Sequence, residues 1–186
     1  MNAKTEIKLS GVGGQGVVLA GTIIGCAASV YDRKNAVQTK EYGSELRGGD
    51  VSTGVIVSTE KIIFPSVTDP DVLVALAQQA CDAHLRSLKP GGILITDSGL
   101  VTVDEGALPE GARHYSAPFN ATADSAFGSN GVLNMIMLGF FAAAIGAVSI
   151  EGIRQAVAYL VPPRTRKQNL EAVEKGVELA SGIRSR

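Results

Sequence analysis

Gly11-Val12-Gly13-Gly14-Gln15-Gly16 satisfies the spacing G-x-G-x-x-G, and the residues on either side decide how it reads. Upstream, Glu6 to Ser10 alternates weakly between polar and apolar, as a strand does; downstream, Val17, Val18, Gly21, Ile24, Ala27 and Ala28 recur at helical spacing. A strand therefore feeds a helix through a glycine loop, a Rossmann-like start. Glycines there let the chain turn sharply and expose backbone N–H groups, while the helix N-terminus offers a partial positive charge to phosphate or pyrophosphate. The same glycines also permit close packing of strand on helix, and the spacing alone leaves both readings open. A dinucleotide site further requires an acidic residue about 20 positions on, where the second strand ends, to hold the ribose hydroxyls. That strand reads Ala36-Val37-Gln38-Thr39-Lys40, and Glu41 comes only after it, which weakens NAD.

Working outward, a short strand around Ala36 to Gln38 leads into a polar loop, Thr39 to Asp50, and then an alternating strand, Val51 to Val57. Ser58 to Lys61 reads as a hairpin turn returning through Ile62 to Phe64, which gives the sheet an antiparallel edge. Asp71 to Ala75 is almost wholly apolar, as expected of a central parallel strand covered on both faces, and a helix is expected over Gln78 to Leu88. Lys89-Pro90-Gly91-Gly92 stops that helix and opens a buried strand, Ile93 to Thr96, completing a right-handed strand, helix, strand unit. His114 to Ala117 adds a last short strand. The polar stretch Pro118 to Asn130 then leads into three helices, roughly Asn130 to Ile145, Ser149 to Val161 and Thr165 to Ser181. The expected fold is one α/β domain over residues 1–186: a doubly wound three-layer α/β/α sandwich with a mostly parallel sheet, an antiparallel edge hairpin and a helical C-terminus.

Composition narrows the function by exclusion. With 45% hydrophobic and 19% charged residues the chain is no disordered segment, and 17 basic against 18 acidic residues leave no electrostatic footprint for nucleic acid. The one short basic cluster, Arg164 to Lys167, suits a helix start, a solvated rim or an anion contact. No signal peptide follows Met1, so the expected location is cytoplasmic. The apolar run Val132 to Val148 falls short of the roughly 20 residues that span a bilayer and reads as a buried helix. Cys26 and Cys81 stand alone in apolar helical patterns, too few and too scattered to ligate an iron–sulfur cluster. His84 and His114 lack the spacing of a helical metal site. Neither a G-x-S-x-G elbow nor a G-x-x-x-x-G-K-[ST] loop occurs, and Gly49-Asp50-Val51 does not meet the G-D-G motif of a thiamine diphosphate site.

A second unusual segment runs from Lys40 to Asp50, charged and glycine-rich between two strands. Arg47 there is suited to a bidentate pair with carboxylate or phosphate, and Gly48-Gly49 to close approach of a ligand or another backbone. An internal Glu45 to Arg47 salt bridge in an ordinary surface loop accounts for it equally well.

Taken together, G-V-G-G-Q-G-V at 11–17 and E-Y-G-S-E-L-R-G-G at 41–49 resemble the gamma subunit of 2-oxoacid:ferredoxin oxidoreductases. The likeness continues through Pro65, residues 71–75, 89–92, 130–139 and 169–180, nearly the whole chain. It implies an accessory subunit without a complete active site. Thiamine-binding alpha and beta subunits and a ferredoxin-like subunit would carry thiamine diphosphate, magnesium and iron–sulfur clusters, converting a 2-oxoacid to its acyl-coenzyme A and passing electrons to ferredoxin. In fused relatives the equivalent domain lies against the thiamine domains and is implicated in coenzyme A binding. The resemblance thus nominates Gly11, Gly13, Gly14, Gln15 and Gly16 in the first motif, and Tyr42, Glu45, Arg47, Gly48 and Gly49 in the second, as ligand-binding residues, with no catalytic or metal-binding residue. The 2-oxoglutarate type is the most similar, with the indolepyruvate and aromatic 2-oxoacid types next. Two other readings stand beside it: an independent NAD- or flavin-dependent oxidoreductase, and a non-catalytic module for coenzyme A or another phosphorylated ligand.

Overall fold

Successive residues of a strand face opposite sides of its sheet, and in β1 (Lys4–Val12) the two sets differ in kind. Ile7 and Leu9 are fully buried among apolar neighbours, whereas Lys8 and Ser10 alternate with them and are buried as polar groups. The computed structural model describes residues 3–42 and 50–182, with the side chains of Tyr42 and Asp50 excluded. Five further strands join β1: β2 (Asn35–Tyr42), β3 (Asp50–Ser58), β4 (Val72–Ala75), β5 (Ile93–Asp97) and β6 (Arg113–Ala117), in the order β2-β3-β1-β4-β5-β6. From β1 to β6 the neighbours run parallel; β3 pairs antiparallel with both β1 and β2.

The helices are α1 (Val17–Cys26), which continues as a π-turn over Ala27–Tyr31, α2 (Gln78–His84), α3 (Phe119–Phe127), α4 (Leu133–Ile145), α5 (Ile150–Leu160) and α6 (Pro163–Ser181). On one face Val55, Val72, Val74 and Ile95 pack with Ile7 and Leu9 under α1 and α3–α6. On the other, Leu73, Ala75 and Leu94 pack against Ala80 and Cys81 of α2. Helices thus cover both faces, giving the doubly wound α/β architecture, and β4, buried throughout, is the central strand that its apolar run requires. Among the described residues, no helix is long and apolar enough to cross a membrane.

Two glycines set the closest approach in the helical layer. A Cβ on Gly139 of α4 would strike the Val173 carbonyl of α6, and one on Gly176 of α6 would strike the Ile136 carbonyl of α4. The two backbones therefore touch directly along this seam. A bidentate pair, Arg154 Nε and Nη2 to Glu174 at 2.7 and 2.8 Å, ties α5 to α6.

Three expectations need correction. The antiparallel edge exists, but it is built from β2 and β3; Ile62 to Phe64 forms no strand, and Ile63 and Phe64 are exposed. The segment expected as a polar loop from Thr39 begins with strand, because β2 runs on to Tyr42. The polar stretch after Pro118 folds as α3, since Phe119, Ala123 and Phe127 recur every fourth residue and Phe119 packs edge-on against Phe140 at 5.2 Å between ring centroids. Arg164 to Lys167 lie in the first turns of α6, the helix-start reading.

Candidate functional site

The glycine loop occupies the C-terminal end of β1, where adjacent strands send their helices to opposite faces. After β1 the chain enters α1 on one side; after β4, parallel and adjacent, it enters α2 on the other. Divergence of this kind opens a crevice at the strand ends, the usual ligand position in α/β sheets.

Each residue of the loop has a physical reason to be there. Gly11 is buried, and a Cβ on it would collide with the Gln15 side chain and approach Val17 and Leu76. Gln15 closes the turn: its Oε1 accepts from the Val12 N–H at 2.8 Å, its Nε2 donates to the Leu76 carbonyl at 2.8 Å, and its own N–H donates to the Val12 carbonyl at 3.2 Å. The carboxamide thereby joins the ends of β1 and β4. Gly16 precedes α1 with φ at 70°, a left-handed conformation that side chains resist, and a Cβ there would strike Asn134. Gly13 and Gly14 differ from both. They are exposed at the tip, and a Cβ on either meets nothing within 4 Å. Gly14 has φ at 96°, so backbone conformation calls for glycine there.

The tip suits an anion. The first turn of α1 holds no acidic residue, and Gly16 leaves the helix start without a side-chain cap. Backbone N–H groups at such a start carry partial positive charge toward the open space beside Gly13 and Gly14.

The second motif is approached along β2. Tyr42 is its last residue, paired with Val51 of β3; Glu45, Arg47, Gly48 and Gly49 lie outside the described residues. Just before it, Glu41 joins a polar cluster on the α2 side of the sheet. Lys8 donates to Glu41 Oε2 at 3.1 Å, and the Ser52 hydroxyl donates to the same oxygen at 3.1 Å. Gly54 of β3 stands opposite Lys8 on one side and Thr39 on the other, leaving the intervening strand without a side chain at that position. The hydrogen bond from Lys8 lowers the Glu41 carboxyl below the ordinary carboxylate range; partial burial opposes this, while Lys8 charge, Ser52 and the nearby His84 add to it.

Sequence reasoning found the glycine loop and missed what braces it. Asn134, buried in α4, donates from Nδ2 to the Gly16 carbonyl at 3.3 Å, holding the loop from 118 residues away. A lone amide inside an apolar run was the available signal. Lys8 gave a similar one, a charge within a strand whose neighbours are buried. Cys26 is half-buried and Cys81 buried, and desolvation raises both thiols above their ordinary range, which suits packing rather than reactivity. His84 closes α2, and His114 lies on β6 between Thr96 at 2.8 Å and Glu105 at 2.9 Å. Among the described residues, no three His, Cys, Asp or Glu side chains converge to hold a metal ion.

With this geometry in hand, the chain can be set beside known proteins. Residues 6–179 match the family described as pyruvate ferredoxin/flavodoxin oxidoreductase. The chain is 43% identical over 181 residues to the 2-oxoglutarate synthase subunit KorC of Methanocaldococcus jannaschii, covering 97% of this chain and 96% of that protein. The crystal structure of the keto/oxoacid ferredoxin oxidoreductase gamma subunit from Geobacter sulfurreducens aligns with a TM-score of 0.84 at 39% identity, over 96% of this chain and 99% of that one. The fold recurs in the 2-oxoglutarate:ferredoxin oxidoreductase of Magnetococcus marinus, solved with 2-oxoglutarate, coenzyme A and succinyl-CoA bound. There the TM-score is 0.88 at 24% identity, over 100% of this chain and 32% of the other. The glycine loop thus sits within a likeness that extends over almost every element of the fold, and the chain belongs to the pyruvate ferredoxin/flavodoxin oxidoreductase family.

Proposed function

We propose that this chain is the gamma subunit of a cytoplasmic 2-oxoglutarate:ferredoxin oxidoreductase, and that its glycine loop helps to hold coenzyme A. The observation that carries the reading is the end-to-end match to a 2-oxoglutarate synthase subunit, 43% identical over 97% of this chain. Thiamine-binding alpha and beta subunits and a ferredoxin-like subunit complete the complex in this proposal. Thiamine diphosphate with magnesium supplies decarboxylation there, and iron–sulfur clusters supply electron transfer to ferredoxin.

The contribution of this chain is binding and positioning. Gly13 and Gly14 leave room for an anionic group to reach the backbone, and the start of α1 favours its charge. Gln15 and Asn134 hold that backbone in place from β4 and α4, so the donors are oriented before the ligand arrives. Gly11 leaves room for the Gln15 side chain, and Gly16 permits the left-handed turn into α1. Tyr42, Glu45, Arg47, Gly48 and Gly49 supply the second half of the site in this proposal, with Arg47 as the charged partner of a phosphate.

An NAD-binding reading fares worse on the geometry. The strand after α1 is an antiparallel edge strand separated from β1 by β3, and the Glu41 carboxylate is engaged by Lys8 and Ser52.

Co-expression with the genes beside it tests the proposal. The chain should copurify with thiamine-binding subunits, and the complex should reduce ferredoxin with 2-oxoglutarate and coenzyme A. Failure to copurify with any thiamine-binding subunit, or a fully active complex lacking this chain, would refute the subunit role. Within an assembled complex, Arg47→Ala should raise KM for coenzyme A about tenfold or more, the cost of a charged hydrogen bond. An unchanged KM removes Arg47 from the site.

A further inference from the structure

At the end of the sheet opposite the glycine loop lies a hollow of about 460 Å³, within the range of small-molecule sites. The starts of β1, β4 and β5, the end of β3, the Lys89–Gly92 turn and the turn after α4 surround it. The eight residue steps from Thr5 in β1 to Gly13 just beyond it put roughly 25 Å between this hollow and the loop tip. It is therefore no part of the site already described.

Its floor is apolar, formed by Val57, Val72, Ile93 and Ile145, and its walls carry three cations, Lys34, Lys89 and Arg113, against one lining carboxylate, Asp71. The charges do not cancel. Lys89 donates to Glu6 at 2.6 Å and to Asp71 at 2.9 Å, and Lys4 also pairs with Glu6 at 2.8 Å, so that group of four is neutral by itself. Lys34 and Arg113 remain. Lys34 donates to an uncharged acceptor, the Ala147 carbonyl, at 2.7 Å. Arg113 lies 3.4 Å from the Tyr115 hydroxyl and 6.0 Å from the centre of its ring. Neither has a carboxylate partner among the described residues, so two positive charges face a hollow with an apolar base. The Lys89-Pro90-Gly91-Gly92 turn, which the family resemblance includes but the glycine-loop site leaves without a task, forms one wall.

We propose that this hollow binds a small organic anion, a carboxylate or phosphate on an apolar body, with Lys34 and Arg113 holding the anionic group and the aliphatic floor taking the body.

The test uses the full chain, isotopically labelled and titrated with 3-phenylpropionate, phenyl phosphate, inorganic phosphate and, as a neutral control, benzyl alcohol. Saturable NMR shifts at Gly91, Ile93 and Ile145 are expected with at least one aromatic anion, which also tells carboxylate from phosphate as the preferred group. Arg113→Ala should weaken that binding about tenfold or more. Arg113 is exposed, so its replacement leaves folding nearly untouched, and an unchanged Tm verifies this. Shifts confined to residues 11–16, no saturable shift with any anion, equal binding of benzyl alcohol, or wild-type affinity in both Arg113→Ala and Lys34→Met would each overturn the proposal.

Discussion

The two faces of this sheet are made by alternate residues of the same strands, yet they are specified differently. Beneath α1 and α3–α6 the face is hydrocarbon, and the position of its helices is fixed by volume: α4 and α6 touch where Gly139 and Gly176 have no side chains. On the opposite face, at its β2-β3-β1 end, the face is polar. There Lys8 reaches toward Glu41 past a glycine, and three strands are held by one carboxylate. Hydrophobic burial rewards any close packing, so specificity on the first face depends on which residues are small enough. A charge rewards only its partner. The second face is therefore sensitive to pH, and the first to volume.

The largest effect should come from breaking the volume rule. Gly176→Ala raises intrinsic helix propensity by about 1 kcal/mol, yet its Cβ meets main-chain atoms of Ile136 and Phe140, which cannot rotate away. Net destabilisation of about 3 kcal/mol is expected, a Tm lower by roughly 6–12 °C in calorimetry. An unchanged or higher Tm would show that the seam has slack.

A smaller effect, with a distinctive pH signature, should follow from Glu41→Gln. It leaves Lys8, only 8% exposed, without its anion, and because Glu41 itself is half exposed the cost should be about 1–2 kcal/mol at neutral pH. The folded-state carboxyl of Glu41 is depressed, so its contribution is complete above the unfolded value of about 4.3 and is lost as pH falls through the folded value. Urea unfolding of the two proteins should differ near neutrality and converge in acid. A gap of equal size at both ends of the pH range would assign the effect to something other than the charge.

The smallest effects are expected where the faces part. Gly13→Ala should change stability by less than about 0.5 kcal/mol, since its Cβ enters open space. Gly14→Ala should cost about 1 kcal/mol because of its positive φ. Equal costs at the two positions would mean that the tip is set by packing and not by backbone conformation.

How much of this was legible in the sequence depended on range. The strand, loop and helix around Gly11 to Gly16 could be read because spacing and local conformation decide them, and β4 could be read from its uninterrupted apolar run. The helix α3 was hidden because alanines make up most of its apolar residues and signal a face weakly, and because its cap is a proline. Ile62 to Phe64 misled in the other direction: a short apolar run has a strand's composition, but nothing in it shows that β1, not the returning chain, will take the free side of β3. The braces of the site were beyond local reading altogether. Nothing near Gln15 points to Leu76, and nothing near Gly16 points to Asn134.

That clasp between Gln15 and Leu76 bears on the order in which the protein folds. It spans 61 residues and forms only when β4 is seated beside β1, a closure that leaves α1, β2 and β3 in the intervening stretch of chain. Contacts of such long range form late, because their loop-closure entropy must be met before they contribute. The glycine loop should therefore take its final shape after β4 has docked on β1, later than the local turns of α1 that follow it.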